Sequence, residues 1–314
     1  MASTVPSPYS SAVHWPVGEA TLTALSDGFF AADLATVLPR FDTREAARLQ
    51  RAAHRPECAA LTHTMYLLRG PGHGPALVDA GMGHGWGPTV GHLPHALAGA
   101  GVRPEEIETV LLTHLHLDHS GGLVTADGDP LFPHAEVVVQ TRELAYWLPD
   151  GVGAPVPAPA EGLPPWAPEI TRAGAARALA PYRDRIRTFT GEHTVLPGVT
   201  AFPLPGHTPG HCGYRLTGGG RSVLLVGDLL HLPAVQMPRP DATVVFDVDA
   251  PAAARTREAV LRGAAADGAL LAGAHTEYPG LGRVERHGTG YRLVPELWIS
   301  AMVAAAATEG TAAP

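Results

Sequence analysis

The chain has 314 residues, 45% of them hydrophobic, and 22 basic against 30 acidic side chains give it a formal net charge of −8. That is enough apolar material for a large core, and an acidic balance with no local basic cluster argues against nucleic acid as a partner. The start of the chain has no basic region followed by an apolar run, and no later run could cross a bilayer, so a soluble, cytoplasmic protein without membrane attachment is expected.

In chain order, short apolar runs alternate with helical stretches. Residues 20–27, 61–70 and 75–81 predict strands, the last two joined by the turn Gly70-Pro71-Gly72-His73-Gly74. A helix is expected over 89–101, ending at Gly101, and then a buried strand over 107–114. Further strands are expected at 135–140, 199–206, 212–219, 222–228 and 269–275, and a helix at 250–268 closed by Gly268. Between them, 149–168 carries seven prolines and cannot be regular structure; it predicts an extended loop or lid anchored by Trp166. The pattern predicts one domain over 1–303, with 304–314 a low-complexity, flexible tail.

The strand at 107–114 runs into "THLHLDHSGG" (113–122), which packs three histidines and an aspartate between His114 and His119. His114 and His116 alternate on an extended segment and can point one way, whereas Asp118 and His119 follow in a turn and can face a second point nearby. Two imidazoles do not complete a metal site, so remote partners are required. They are present: His207 in "PLPGHTPGH", Asp228 after the apolar run "LLVGD", where a bare carboxylate would be costly, and His275 in "LLAGAH". With only Cys58 and Cys212 in the chain, histidine and carboxylate must do the binding. The expected partition gives His114, His116 and His207 to one ion and Asp118, His119 and His275 to the other, with Asp228 bridging. Two zinc ions suit this nitrogen and oxygen set best, although iron, manganese, cobalt and nickel can occupy such sites.

"THLHLDHSGG", "PGHTPGH", "VGDLLH" and "GAHTEYPGLG" resemble, in order and spacing, the metal motifs of the metallo-β-lactamase superfamily. The resemblance covers about residues 20 to 290. It implies an α/β fold, a four-layer αβ/βα sandwich with the metals at one edge between the two sheets, and it supports the ligand partition. Lactamases that use a cysteine ligand have it where this chain has Asp228, which disfavours a penicillin-opening role. The surrounding "LSDGFF", "LVDAGMG" and the stretch after Asp228 look most like the branch of methyl parathion hydrolase and acyl-homoserine lactonases. In those lactonases a tyrosine three residues beyond the bridging aspartate assists the substrate carbonyl; here that position is His231.

A dinuclear metallohydrolase acting on an ester-type bond of a small molecule follows, most simply a lactone or a related ester or phosphotriester. A water shared by two dications loses a proton near neutral pH, giving a bridging hydroxide as nucleophile, and one ion polarises the carbonyl or phosphoryl oxygen. Asp118 is then the proton shuttle, and His231 binds the carbonyl, protonates the leaving oxygen or simply pairs with a neighbouring loop. The alternatives are a thioesterase or glyoxalase-type enzyme and, further off, a diiron redox protein. Phe29, Phe30, Trp147, Trp166 and Tyr278 are candidates to line a pocket, with the core as their other reading; loop aromatics near 146–166 could serve a homodimer as readily as a lid. His211 is expected to pack or orient its turn, Asp79 to support the ligand loop, and Asp247 to back a ligand or cap a helix. Gly121 and Gly122 are expected to let the chain turn tightly into a following helix.

Overall fold

The computed structural model describes residues 12–158, 164 and 166–298. The tail expected over 304–314 therefore lies outside the described residues, as do 159–163 and 165 of the proline-rich segment.

Two seven-stranded mixed sheets make up the centre. The first takes its strands in chain order: β1 (Ala12–Val17), β2 (Ala20–Ala32), β3 (Ala59–Gly70), β4 (His73–Val78), β5 (Thr109–Leu111), β6 (Glu136–Gln140) and β7 (Ile186–Phe189). Its first four strands are antiparallel, and β4 to β7 run parallel. The second sheet is formed by β8 (His193–Leu196), β9 (Val199–Pro203), β10 (Cys212–Gly218), β11 (Arg221–Leu225), β12 (Leu270–Ala272), β13 (Leu281–His287) and β14 (Gly290–Pro295), also in chain order across the sheet. Only β11 and β12 are parallel there, because the helix between them must carry the chain back. The helices are α1 (Leu34–Val37), α2 (Thr43–Ala52), α3 (Leu93–Gly99), α4 (Leu117–Ser120), α5 (Thr141–Trp147), α6 (Pro168–Leu179), α7 (Pro233–Gln236) and α8 (Ala250–Asp267).

Burial explains the layering. On β3, Met65 and Leu67 point into a core shared with α3 and α6, whereas Tyr66 and Leu68 point into the core between the sheets. Both faces are covered, so the strand reads as a continuous apolar run rather than an alternating one. On the far side, α8 places Leu261 and Ala264 against Leu271 and Val226, which closes a helix–sheet–sheet–helix stack. Asp249 caps α8 by accepting from Ala252 N at 3.0 Å, and Gly268 ends it at φ +65°. No described helix is long and apolar enough to cross a membrane.

The sequence reading found the inner strands and missed the edge and outer elements β1, β7, β8, β13 and β14, whose half-exposed residues give a weaker apolar signal. The strand expected to run to residue 114 stops at Leu111, and the helix expected from residue 89 begins only at Leu93. At both places the chain leaves the regular element and is held by mixed contacts: Thr113 N donates to Asp79, Gly91 N and Leu93 N donate to Asp27, and Phe29 N donates to the Thr89 carbonyl.

Candidate metal centre

Every residue of the proposed ligand set lies in a loop or a single helical turn just beyond a strand. After β5, Thr113 leads to His114 and His116, and α4 follows at once, so Asp118 and His119 sit on one helical turn instead of the open turn expected. His207 follows β9, Asp228 lies three residues beyond β11, and His275 three beyond β12. These ends converge at one edge of the two sheets.

Two groups of donor atoms result, each with all members within 4.8 Å of one another: His114, His116, His207 and Asp228, and Asp118, His119, Asp228 and His275. In the first, His207 Nε2 is 2.9 Å from His116 Nδ1, 3.2 Å from His114 Nε2 and 3.2 Å from Asp228 Oδ2. In the second, Asp228 Oδ1 is 3.0 Å from His119 Nε2 and 3.3 Å from His275 Nε2, and Asp118 Oδ2 is 3.5 and 3.4 Å from the same two nitrogens. Asp228 thus turns one oxygen to each group.

Donor atoms about 2.1 Å from a tetrahedral ion stand roughly 3.4 Å apart, which is the spacing seen. His119 Nε2 and Asp228 Oδ1 are buried without a hydrogen-bond partner, although they are 3.0 Å apart. Buried polar atoms that face one another without bonding fit a shared cation. Burial alone would raise the Asp228 carboxyl, but the imidazoles of His119, His275, His231 and His114 outweigh it and hold the group far below its ordinary value. The donor set therefore fits two divalent ions.

The outward-facing nitrogens explain the aim of each ring. His119 Nδ1–H donates to Asp79 Oδ2 at 2.8 Å, His207 Nδ1–H to Asp247 Oδ1 at 3.0 Å and His275 Nδ1–H to Thr62 O at 2.8 Å. His114 Nδ1–H donates to Thr113 Oγ1, which in turn donates to Asp79 Oδ2. Each bond fixes the tautomer and leaves Nε2 bare toward the site. Asp79 and Asp247 thus each hold a histidine of the donor groups, and the cap of α8 belongs to Asp249 rather than Asp247. His211 orients its turn as expected: Nδ1–H donates to Leu204 O, and Nε2 accepts from the Asp228 amide at 3.1 Å.

Three carboxylate or imidazole groups in the neighbourhood escaped the sequence reading. Glu143 of α5 is fully buried and accepts from Leu115 N, Trp147 Nε1, Thr208 Oγ1 and Gly210 N, which ties the loop of His116 to the loop of His207. Asp27 accepts from the amides of Met82, Gly91 and Leu93 and so shapes the loop after β4. His63, on β3, lies 3.8 Å from Asp118 Oδ2. A lone ionisable residue inside an apolar strand was the available signal for Asp27 and His63.

The centre opens into a cleft walled by Phe30, Leu61, Met82, Trp86, Trp166 and Phe246, with His63, Asp118 and His231 at its reacting end. Of the aromatic candidates, Phe30 and Trp166 line it, and Trp166 packs edge-on against Phe246. Phe29 points to solvent, Trp147 is buried beneath His116 with its indole N–H on Glu143, and Tyr278 packs against the core between the sheets. His231 Nε2 stands 3.1 Å from Asp228 Oδ2, with its ring stacked on His275. The glycine pair after α4 has a different reason from the one expected. Gly121 takes an ordinary helical φ of −61°, but a Cβ on Gly122 would fall 2.0 Å from Ala80 O and one on Gly121 2.4 Å from Met82 O. The pair allows close approach of two loops.

Comparison with known proteins agrees with this geometry. The Metallo-beta-lactamase superfamily profile matches residues 59–275, a stretch that holds all seven donor residues from His114 onward and ends on His275 itself.

 The chain belongs to the metallo-beta-lactamase superfamily. No curated protein matches it. Among solved structures, AidC, a dizinc quorum-quenching lactonase in complex with a product, is 24% identical, with 93% of this chain and 100% of that chain covered and a TM-score of 0.83. The hydrolase AbOPH of the beta lactamase superfamily is 27% identical over 94% of this chain and 100% of that one, also at 0.83. An N-acyl homoserine lactone hydrolase with N-hexanoyl-L-homoserine at its catalytic metal centre is 20% identical over 83% and 94%, at 0.58. Fold, family and dinuclear His/Asp cluster together make the chain a metallohydrolase of this superfamily.

Proposed function

We propose that the protein hydrolyses uncharged ester-type bonds, with a lactone of the acyl-homoserine type as the leading substrate and zinc as the metal. The observation that carries this reading is the pair of donor groups sharing Asp228 at the end of a largely apolar cleft. His114, His116 and His207 would hold one ion, Asp118, His119 and His275 the other, and Asp228 both. Two divalent ions bound there supply an activated water at neutral pH and an electrophile for the carbonyl oxygen.

The remaining work falls to side chains. Asp118 reaches the second group through Oδ2 and leaves 22% of its side chain open to the cleft, so its other oxygen can take a proton from the attacking water and return it to the leaving oxygen. His231 lines the same end on the Asp228 side, where it can hold the substrate carbonyl in place of the tyrosine of related lactonases. The apolar walls hold the acyl part and exclude water.

All 22 basic residues are arginines, and none lines the cleft. That disfavours the thioesterase and glyoxalase-type alternatives, whose anionic carriers would need a cationic partner. The similarity to AidC and to the N-acyl homoserine lactone hydrolase supports the lactone over other esters. A panel of lactones, acyl thioesters, aryl esters and phosphotriesters tests the reading, alongside elemental analysis of the purified protein. Two metals per chain and fastest turnover of a lactone are expected; inactivity on every lactone with turnover of thioesters would replace it.

A further inference from the structure

His63 belongs to neither donor group, yet it lines the cleft beside them. Alternation along β3 puts it on the face of Leu61, which also walls the cleft, and of Met65, which is buried in the core behind. The residue is 3% exposed. Its ring meets His275 edge-on with centroids 5.1 Å apart, and its Nε2 stands 3.8 Å from Asp118 Oδ2.

The buried Nδ1 has no hydrogen-bond partner in the protein. A bare lone pair there costs less than an N–H without an acceptor, which is the rarer defect in folded proteins. The proton therefore sits on Nε2, on the Asp118 side of the cleft. At 3.8 Å this N–H is too distant to be satisfied by Asp118. A free donor at the reacting end of an apolar cleft has the substrate as its remaining acceptor.

We propose that His63 is a catalytic residue that donates an Nε2–H hydrogen bond to the leaving oxygen of the ester. The proposal rests on the hydrolase reading above. As the bond between the carbonyl carbon and the leaving oxygen breaks, both bonding electrons go to that oxygen. The proton that neutralises it comes from Asp118, and His63 keeps its own proton throughout. Its hydrogen bond strengthens as negative charge builds, which favours the transition state over the bound substrate. His63 beside Asp118 serves the leaving oxygen, and His231 on the Asp228 side is left to the carbonyl.

The test compares wild type, His63→Leu and His63→Gln on esters that share one acyl group but differ in leaving group, with the metal content of each protein measured in parallel. His63→Leu should keep two metals per chain and lose little kcat with a nitrophenyl ester, but lose roughly 10²-fold with an alkyl ester. The dependence of rate on leaving-group pKa steepens accordingly. His63→Gln retains an N–H of similar reach and should recover part of the loss. An equal loss across the series, or a loss of metal, overturns the proposal and leaves the hydrolase reading standing. A wild type inert toward every ester overturns both.

Discussion

Glu143→Gln isolates the link between the two halves of the first donor group. The carboxylate accepts four hydrogen bonds: Leu115 N at 3.0 Å and Trp147 Nε1 at 2.8 Å on one oxygen, Thr208 Oγ1 at 2.6 Å and Gly210 N at 3.1 Å on the other. A glutamine keeps one accepting oxygen, so its NH2 must face one of these pairs. Toward Leu115 and Trp147 it would confront two N–H donors that cannot turn around. Toward Thr208 and Gly210 it meets a hydroxyl that can rotate to accept, which leaves only the Gly210 amide without a partner. The second orientation wins. One orphaned buried N–H costs about 1–3 kcal/mol, and loss of charge weakens the surviving bonds, while relief of the burial that raises the Glu143 carboxyl offsets part of this. The expected loss is about 2 kcal/mol, concentrated in the loop of His207 rather than that of His116. Urea unfolding of the metal-loaded protein measures the total, and hydrogen exchange over residues 205–212 its location. A loss under about 0.5 kcal/mol with unchanged exchange there would refute the reasoning.

Four further outcomes are expected. Asp79→Asn weakens the hold on the His119 tautomer and should lower metal affinity about 10- to 100-fold, measured by competition with a chelator. Gly122→Ala drives a Cβ to 2.0 Å from the Ala80 carbonyl oxygen and should destabilise the fold by at least about 3 kcal/mol in urea unfolding. Burial pushes the His211 imidazole down to about 3, below its unfolded value of 6.5, so its stabilising contribution is present above pH 6.5 and is lost as pH falls toward 3. The stability gap between wild type and His211→Gln should therefore narrow by roughly 1.4 kcal/mol per pH unit below 6.5. Removal of metal by a chelator should lower Tm by roughly 10 °C in calorimetry, because the ions bind only the folded arrangement.

The donor set was legible because each of its members carries its own local signal. A histidine or aspartate directly after an apolar run is costly unless it meets a cation, and "THLHLDH" supplies four such residues at once. The inner strands were legible for the same reason, being continuous apolar runs. What escaped was amphipathic or relational: the half-exposed strands β13 and β14, and His63, which resembles any polar interruption of β3 until Asp118 is seen beside it. The aromatic candidates divided for that reason too. Phe30 and Phe29 are neighbours in sequence, and strand alternation sends one into the cleft and the other to solvent.

The groups that aim the donors show why such partners stay hidden. Asp79 reaches His119 across 40 residues, Asp247 reaches His207 across 40, and Glu143 reaches Gly210 across 67. None of these separations has a period that sequence could display. Yet the ligands sit on loops, which are the least rigid parts of a fold, and a two-metal site tolerates errors of only a few tenths of an ångström. The buried carboxylates solve this by joining loops to each other rather than to the sheets. Asp79 holds Thr113 and His119 of one loop, Glu143 fastens that loop to the one carrying His207, and Asp247 fixes His207 while Arg257 of α8 stands 3.7 Å behind it. The centre is therefore held as a unit, so a substitution in any of these three carboxylates should disturb metal binding without touching a ligand.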